Sequence, residues 1–227
     1  MKLTLPGTGC EVPVGKLLCI GRNYALHAAE MQSKIPAEPV VFLKPTTALI
    51  QDGVAVVLPL MSRDVHHEIE LVVMIGRRGK HIAESAAESH IAGYAVGLDM
   101  TARDLQSAAK KSGRPWSIAK GFDTFAPVGM FVPATQIPDP QDLVLTLTVN
   151  GEERQHGHTR DMIFPVMKLI AYCSRIFTLE PGDLLLTGTP HGVGPVQDGD
   201  TLVAVCSGLP VLTVPVRRAH QAATLVP

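Results

Sequence analysis

Glu68 and Glu70 stand at i and i+2 in the run His66-His67-Glu68-Ile69-Glu70-Leu71-Val72-Val73-Met74-Ile75, where the chain turns wholly apolar directly after them. On a strand this spacing points both carboxylates to one face, with Cα atoms roughly 6.6 Å apart. Two anions at the lip of an apolar strand repel each other and lose hydration, so either one holds a proton or a cation lies between them. A third acid, Asp99, ends the run Gly93-Tyr94-Ala95-Val96-Gly97-Leu98 and precedes a predicted helix. Three carboxylates without cysteine form a hard, all-oxygen set suited to Mg²⁺, Mn²⁺ or Ca²⁺, and poorly suited to zinc. The competing reading of the two glutamates is a solvated strand face paired with lysines across the ladder.

A second constellation lies in Gly21-Arg22-Asn23-Tyr24-Ala25-Leu26-His27-Ala28-Ala29-Glu30, after the apolar stretch Leu17 to Ile20. His27 and Glu30 at i and i+3 share one helical face, and a carboxylate that orients an imidazole makes it a better general base. An ordinary surface pair has the same spacing. Arg103 and Gln106, also three apart, can both face whatever Asp99 binds, and Arg103 offers the fork that carboxylates favour; alternatively it is a surface arginine beside Asp104. Lys120 ends Trp116-Ser117-Ile118-Ala119 and could steady a developing oxyanion, while Thr189 lies in the polar turn Thr187-Gly188-Thr189-Pro190 after an apolar run. Taken singly, each of the two also fits a structural role.

The elements that must hold these groups are short. Twenty Gly and eighteen Pro recur every few residues, as a loop-rich β architecture requires. Strands are predicted at residues 40–43, 67–75, 94–98, 143–149, 183–186, 201–206 and 211–216. Asn150-Gly151 after the alternating LVLTLTV run signals a type I′ hairpin, with residues 152–155 returning antiparallel. Helices are predicted near 25–31, over 102–111 opened by a Thr101/Asp104 capping box, and over 165–176 with Pro165 at its first position.

Composition removes several classes. A chain of 227 residues with 46% hydrophobic and 18% charged residues is not disordered, and reads as a single catalytic domain over 1–227 with surface left for an oligomer interface. A net charge of −1 and 4% aromatics argue against nucleic acid. No apolar run reaches the ~18 residues of a membrane span, and the first residues lack a signal-peptide core, so a cytoplasmic location is expected. Cys10, Cys19, Cys173 and Cys206 have no zinc-ligand spacing and read as buried small hydrophobes.

The collinear motifs GRNYxxHxxEM, PxxFLKPxTA, HHExEL, GYAxxLDMTARDxQ, PWxxAK, VNGExRQ and LTGTPxGVGP, from about residue 18 to 199, resemble the fumarylacetoacetate hydrolase family, in its short acylpyruvase and oxaloacetate-decarboxylating branch. The resemblance implies an α+β fold, a mixed β-sandwich roll with a few short helices like the C-terminal domain of that family, and usually a homodimer. It implies a divalent metal held by Glu68, Glu70 and Asp99. It places His27 and Glu30 on a lid helix as a water-activating dyad, and Arg103, Gln106, Lys120 and Thr189 against substrate or metal-bound oxygens; Arg22 of the GRNY motif joins the substrate-binding candidates. Larger members bring a further aspartate from an upstream segment, whereas no Asp occurs here between Lys16 and Glu30. The expected activity is metal-dependent cleavage of the carbon–carbon bond of an acylpyruvate to pyruvate and a carboxylic acid, with Lys120 assisting. Oxaloacetate decarboxylation and keto–enol tautomerisation are the alternatives, and a non-catalytic metal- or ligand-binding domain is a reading from another class. A small keto acid is the expected partner.

Overall fold

In this computed structural model the structure describes residues 1–219; residues 220–227, part of the single-domain expectation, lie outside the described residues. Two sheets carry the fold. A six-stranded mixed sheet runs in the order Val132–Pro133, Ile91–Leu98, Ile69–Ile75, Leu184–Leu186, Leu17–Gly21, Val40–Lys44, with one parallel pairing between the fourth and fifth. A five-stranded sheet runs Glu152–His158, Val144–Val149, Thr201–Cys206, Leu212–Arg218, Val56–Leu58, its last pairing parallel. Four helices accompany them: α1 (Ala25–Glu30), α2 (Arg103–Lys111), α3 (Ser117–Lys120) and α4 (Val166–Ile176). This is the mixed-sheet, short-helix architecture expected of the family.

Alternation along the central strands sorts the core into two layers. Ile69, Leu71, Val73 and Ile75 join the larger apolar cluster, which also contains Leu145, Leu147, Leu202 and Val214 of the five-stranded sheet. Val72 and Met74 face the other way, into a second cluster with Leu17, Cys19, Ala95, Leu184 and Leu186. The Ile69–Ile75 strand is thus buried along its whole length and on both faces. Glu70 continues the parity of Val72 and Met74, and Asp99 that of Ala95 and Gly97, with Glu70 and Gly97 in register. The acids therefore close the end of the second layer.

Several expectations need correction. The predicted 67–75 strand is broken at Glu68: Val65–His67 belongs to a separate three-stranded sheet with Thr101–Ala102 and Gly194–Pro195, and Ile69–Ile75 to the central one. Glu68 is thus the break itself, and only Glu70 lies in a strand. No capping box opens α2: Thr101 lies in a strand, its hydroxyl donates to the Asp99 carbonyl at 3.1 Å, and no side chain caps Ala102. Asp104 turns outward, accepting from Ser62 Oγ at 2.7 Å, the Arg63 amide at 3.0 Å and the Leu105 amide at 2.8 Å. Pro165 precedes α4 as its N-cap. Cys19, Cys173 and Cys206 are buried, but Cys10 is exposed in the turn between the first two short strands. The hairpin is present, with Asn150 at φ 53° and Gly151 at φ 83° as a type I′ turn demands.

Candidate active site

Glu68, Glu70 and Asp99 converge, each offering a carboxylate oxygen within 4.8 Å of the others, and all three are buried. Their cations come from elsewhere in the chain. Lys120, at the end of α3, donates to Glu68 Oε2 at 2.9 Å and Asp99 Oδ2 at 2.5 Å. Arg103, at the start of α2, donates through one nitrogen to Glu68 Oε1 at 2.5 Å and through the other to Gln106 Oε1 at 2.8 Å. Lys44 Nζ lies 2.7 Å from Asp99 Oδ1. Its protons, however, go to the carbonyls of Met100, Lys120 and Phe125 at 3.0, 2.6 and 2.8 Å, and Asp99 Oδ1 accepts no hydrogen bond.

Charge is unevenly shared across the triad. Burial alone would raise the Glu68 carboxyl, but Lys120, Arg103 and His27 outweigh it and hold Glu68 well below the usual range. Glu70 forms no ion pair: burial, then Asp99 and Glu68, push it well up, and neither the Gly188 amide at 2.7 Å nor the charge of Lys120 offsets them. Three cations thus face three acids, but Glu70 pairs with none of them and Asp99 Oδ1 accepts no hydrogen bond, which leaves buried oxygen ligands for a further cation. Among oxygen-loving ions, Mg²⁺ or Mn²⁺ fits such ligands.

His27 and Glu30 sit on α1 at the rim of the same cleft. The imidazole is buried, and its Nδ1 lies 3.0 Å from Glu30 Oε2, while Glu30 Oε1 accepts the Gly192 amide at 3.0 Å. The turn before α1 is fixed by Asn23, whose side chain binds the Phe164 carbonyl at 3.0 Å, the Thr187 carbonyl at 2.8 Å and the Phe164 amide at 2.8 Å. Gly188 fits there because it lies at φ 98° and a Cβ would come within 2.6 Å of Asn23 Cβ.

These side chains line a narrow cleft that opens to solvent at its mouth. His27, Glu68, Glu70, Arg103, Gln106, Lys120 and Thr189 form its polar floor, and Ile20, Met31, Phe42 and Trp116 an apolar wall. Arg22 and Lys110 line it as well. Eight of the ten residues singled out from the sequence line this cleft; of the other two, Asp99 is held by Lys120 and Glu30 holds His27.

Gln155, Lys44 and Asn23 were not singled out, since lone polar residues inside strands and turns carry no spacing signal. Gln155 is buried and fully paired: its oxygen accepts the Ile69 amide at 3.0 Å and faces His67 Nδ1 at 2.9 Å, and its nitrogen donates to Thr189 Oγ1 at 2.9 Å and the Pro190 carbonyl at 3.0 Å. The backbone partners fix which end is oxygen. His67 therefore carries its proton on Nδ1, with the pKa lowered by burial. Thr189 is an acceptor toward Gln155, so its own proton is free for another partner, and the residue lines the cleft.

Comparison with known proteins agrees with the fold. The family described as fumarylacetoacetate (FAA) hydrolase C-terminal matches residues 16–217, somewhat wider than the 18–199 read from motifs. The chain is 52% identical over 193 residues to the Bos taurus oxaloacetate tautomerase FAHD1, mitochondrial, covering 85% of this chain and 87% of that protein. It is 50% identical to the human counterpart, with 89% and 91% covered. A crystal structure of fumarylpyruvate hydrolase from Pseudomonas aeruginosa in complex with Mn²⁺ and pyruvate superposes with a TM-score of 0.91 at 42% identity, covering 96% of each chain.

Proposed function

The chain belongs to the fumarylacetoacetate hydrolase family, and on that premise we propose that it is a divalent-metal enzyme acting on 2-oxo acids, with keto–enol tautomerisation of oxaloacetate as its principal reaction. The observation that carries this is the buried Glu68, Glu70, Asp99 triad beside a base already oriented by its own carboxylate. Identity of 50–52% to oxaloacetate tautomerases, against 42% to the fumarylpyruvate hydrolase, sets tautomerisation ahead of the acylpyruvate cleavage expected from sequence.

Mg²⁺ or Mn²⁺ held by Glu68, Glu70 and Asp99 supplies Lewis acidity toward the 2-oxo acid end of the substrate and positive charge against the electrons released there. The chain's own residues do the rest. Glu30 accepts a hydrogen bond from His27 Nδ1, which leaves the lone pair of Nε2 free to take a proton from the substrate carbon next to the 2-oxo group and to deliver it to the 2-oxo oxygen, giving the enol; the reverse transfer regenerates the keto form. Arg103 occupies the oxygen of Gln106, so the Gln106 amide nitrogen remains to donate to the substrate carboxylate. Thr189, held as an acceptor by Gln155, donates its own proton to a substrate oxygen. Lys120 bridges Glu68 and Asp99 and holds them adjacent.

Acylpyruvate hydrolysis is the second reading, supported by the same dyad. There Nε2 would take its proton from water, which attacks the distal carbonyl. Following enol absorbance of oxaloacetate beside pyruvate release from acetylpyruvate and fumarylpyruvate, each with Mg²⁺ or Mn²⁺ and with chelator, tests both. We expect chelator-sensitive acceleration of enol–keto conversion, faster than any pyruvate release. No acceleration would discard the principal reading, and no turnover of any of the three would discard both.

A further inference from the structure

Thr101–Ala102 pairs antiparallel with Val65–His67, and the Arg103 amide carries the ladder one step further by donating to the Asp64 carbonyl at 2.7 Å. His66 stands opposite Thr101, so Arg103, two residues on, is its diagonal neighbour at the ~7–8 Å Cα spacing that long side chains span. Asp64, two residues before His66, meets His66 Nε2 through Oδ1 at 2.8 Å. Among the described residues five buried side-chain nitrogens and oxygens have no hydrogen-bond partner, and two of them are His66 Nδ1 and Arg103 Nε. The other two guanidinium nitrogens are committed, one to Gln106 Oε1 and one to Glu68 Oε1. Arg103 Nε can only donate.

We propose that His66 is a positioning residue for Arg103: Asp64 holds the imidazole proton on Nε2, which leaves Nδ1 as the acceptor that Arg103 Nε lacks. A carboxylate only accepts, so Nε2 is the protonated nitrogen of the neutral ring. A second proton on Nδ1 would set two buried donors against each other beside a guanidinium. The two atoms make no direct hydrogen bond, and one bridging water spans such a gap. The contact has a geometric consequence. Two bonds at the far end of the guanidinium leave it free to swing, and a third at Nε fixes its plane. That plane sets the Gln106 side chain, whose oxygen Arg103 holds. The kinetic effect rests on the reading above, in which the Gln106 amide nitrogen meets the substrate carboxylate. His66 itself is not among the residues that line the cleft.

Asparagine places its amide oxygen where His66 Nδ1 stands, whereas glutamine reaches the place of Nε2, so the two substitutions separate an acceptor role from mere bulk. Nitrogen-15 spectra of the Mg²⁺-loaded protein are expected to show His66 protonated at Nε2 alone. The Arg103 Nε–H should exchange with solvent about tenfold faster in His66→Gln and in Asp64→Ala, and near the wild-type rate in His66→Asn. Oxaloacetate KM should rise about tenfold in His66→Gln, with kcat within about threefold, and return toward wild type in His66→Asn. The His66→Gln effect should vanish on an Arg103→Lys background, which has no Nε–H to position. Asp64→Ala, at an exposed side chain, keeps the test open if a change at His66 unfolds the chain. A proton on Nδ1, exchange unmoved in both His66→Gln and Asp64→Ala, or His66→Asn as impaired as His66→Gln overturns the assignment. Tautomer and exchange need no turnover, so a chain that fails to convert oxaloacetate discards the tautomerase reading while the spectra still decide this contact.

Discussion

At the scale of single residues, the proposed chemistry depends on which proton each side chain is free to give. His27→Gln keeps a polar side chain but no base, and is expected to slow oxaloacetate enol–keto conversion by about 10²–10⁴-fold; Mn²⁺ affinity by calorimetry should stay within a few-fold, since His27 is outside the carboxylate triad. Gln155 acts one step back. Thr189→Val removes the donor outright. Gln155→Leu frees Thr189 to rotate and strands the Ile69 amide, His67 and the Pro190 carbonyl, each at about 1–3 kcal/mol. In a double-mutant cycle on kcat, the Gln155 substitution should cost clearly less once Thr189 is already Val; equal cost in both backgrounds would show that Gln155 does not act through Thr189. The acids and the HxxE pair were legible in the sequence because their spacing matches strand and helix periods. Gln155 and Lys44 stood only as letters of the family motifs, without a role, because their hydrogen-bond partners lie 34–88 and 56–81 residues away.

At the scale of elements, most strands were legible from alternation and the hairpin from Asn150-Gly151, whereas the break at Glu68 was hidden. Residues 67–75 read as one strand, and only the pairing of Val65–His67 with Thr101–Ala102 and Gly194–Pro195 divides it. The start of α2 misled for a related reason: Thr101 was taken up by that same small sheet, and Asp104 went to the loop of Ser62 and Arg63. Partial burial would raise the Asp104 carboxyl, but the Arg63 amide, the Ser62 hydroxyl and the Leu105 amide prevail and lower it. A carboxyl lowered by folding adds stability above its unfolded pKa, near 3.9, and loses it as pH falls through the folded value. Asp104→Asn should therefore lower the melting temperature at pH 7, and the gap should close on acidification below about 3.9. Gly188→Ala should destabilise by more than ~1 kcal/mol in denaturant titration, through its positive φ and the contact with Asn23.

At the scale of the whole molecule, a buried triad in which Glu70 has no ion-pair partner and Asp99 Oδ1 accepts no hydrogen bond predicts that folding is linked to metal. Saturating Mn²⁺ at about 100 times its Kd adds roughly 2.7 kcal/mol, or a rise of about 5–10 °C for a chain of this size. Chelator should reverse the shift, and Glu68→Gln with Asp99→Asn should abolish it in differential scanning calorimetry. The central strand from Ile69 to Ile75 also sets a rule for how such a chain can diverge. Both its faces are packed, so gaining or losing one residue there would swap the two apolar layers and carry Glu70 to the wrong side. Related sequences can exchange letters along this stretch, but an alignment gap within it should be vanishingly rare, and a library of single-residue insertions should recover none that folds.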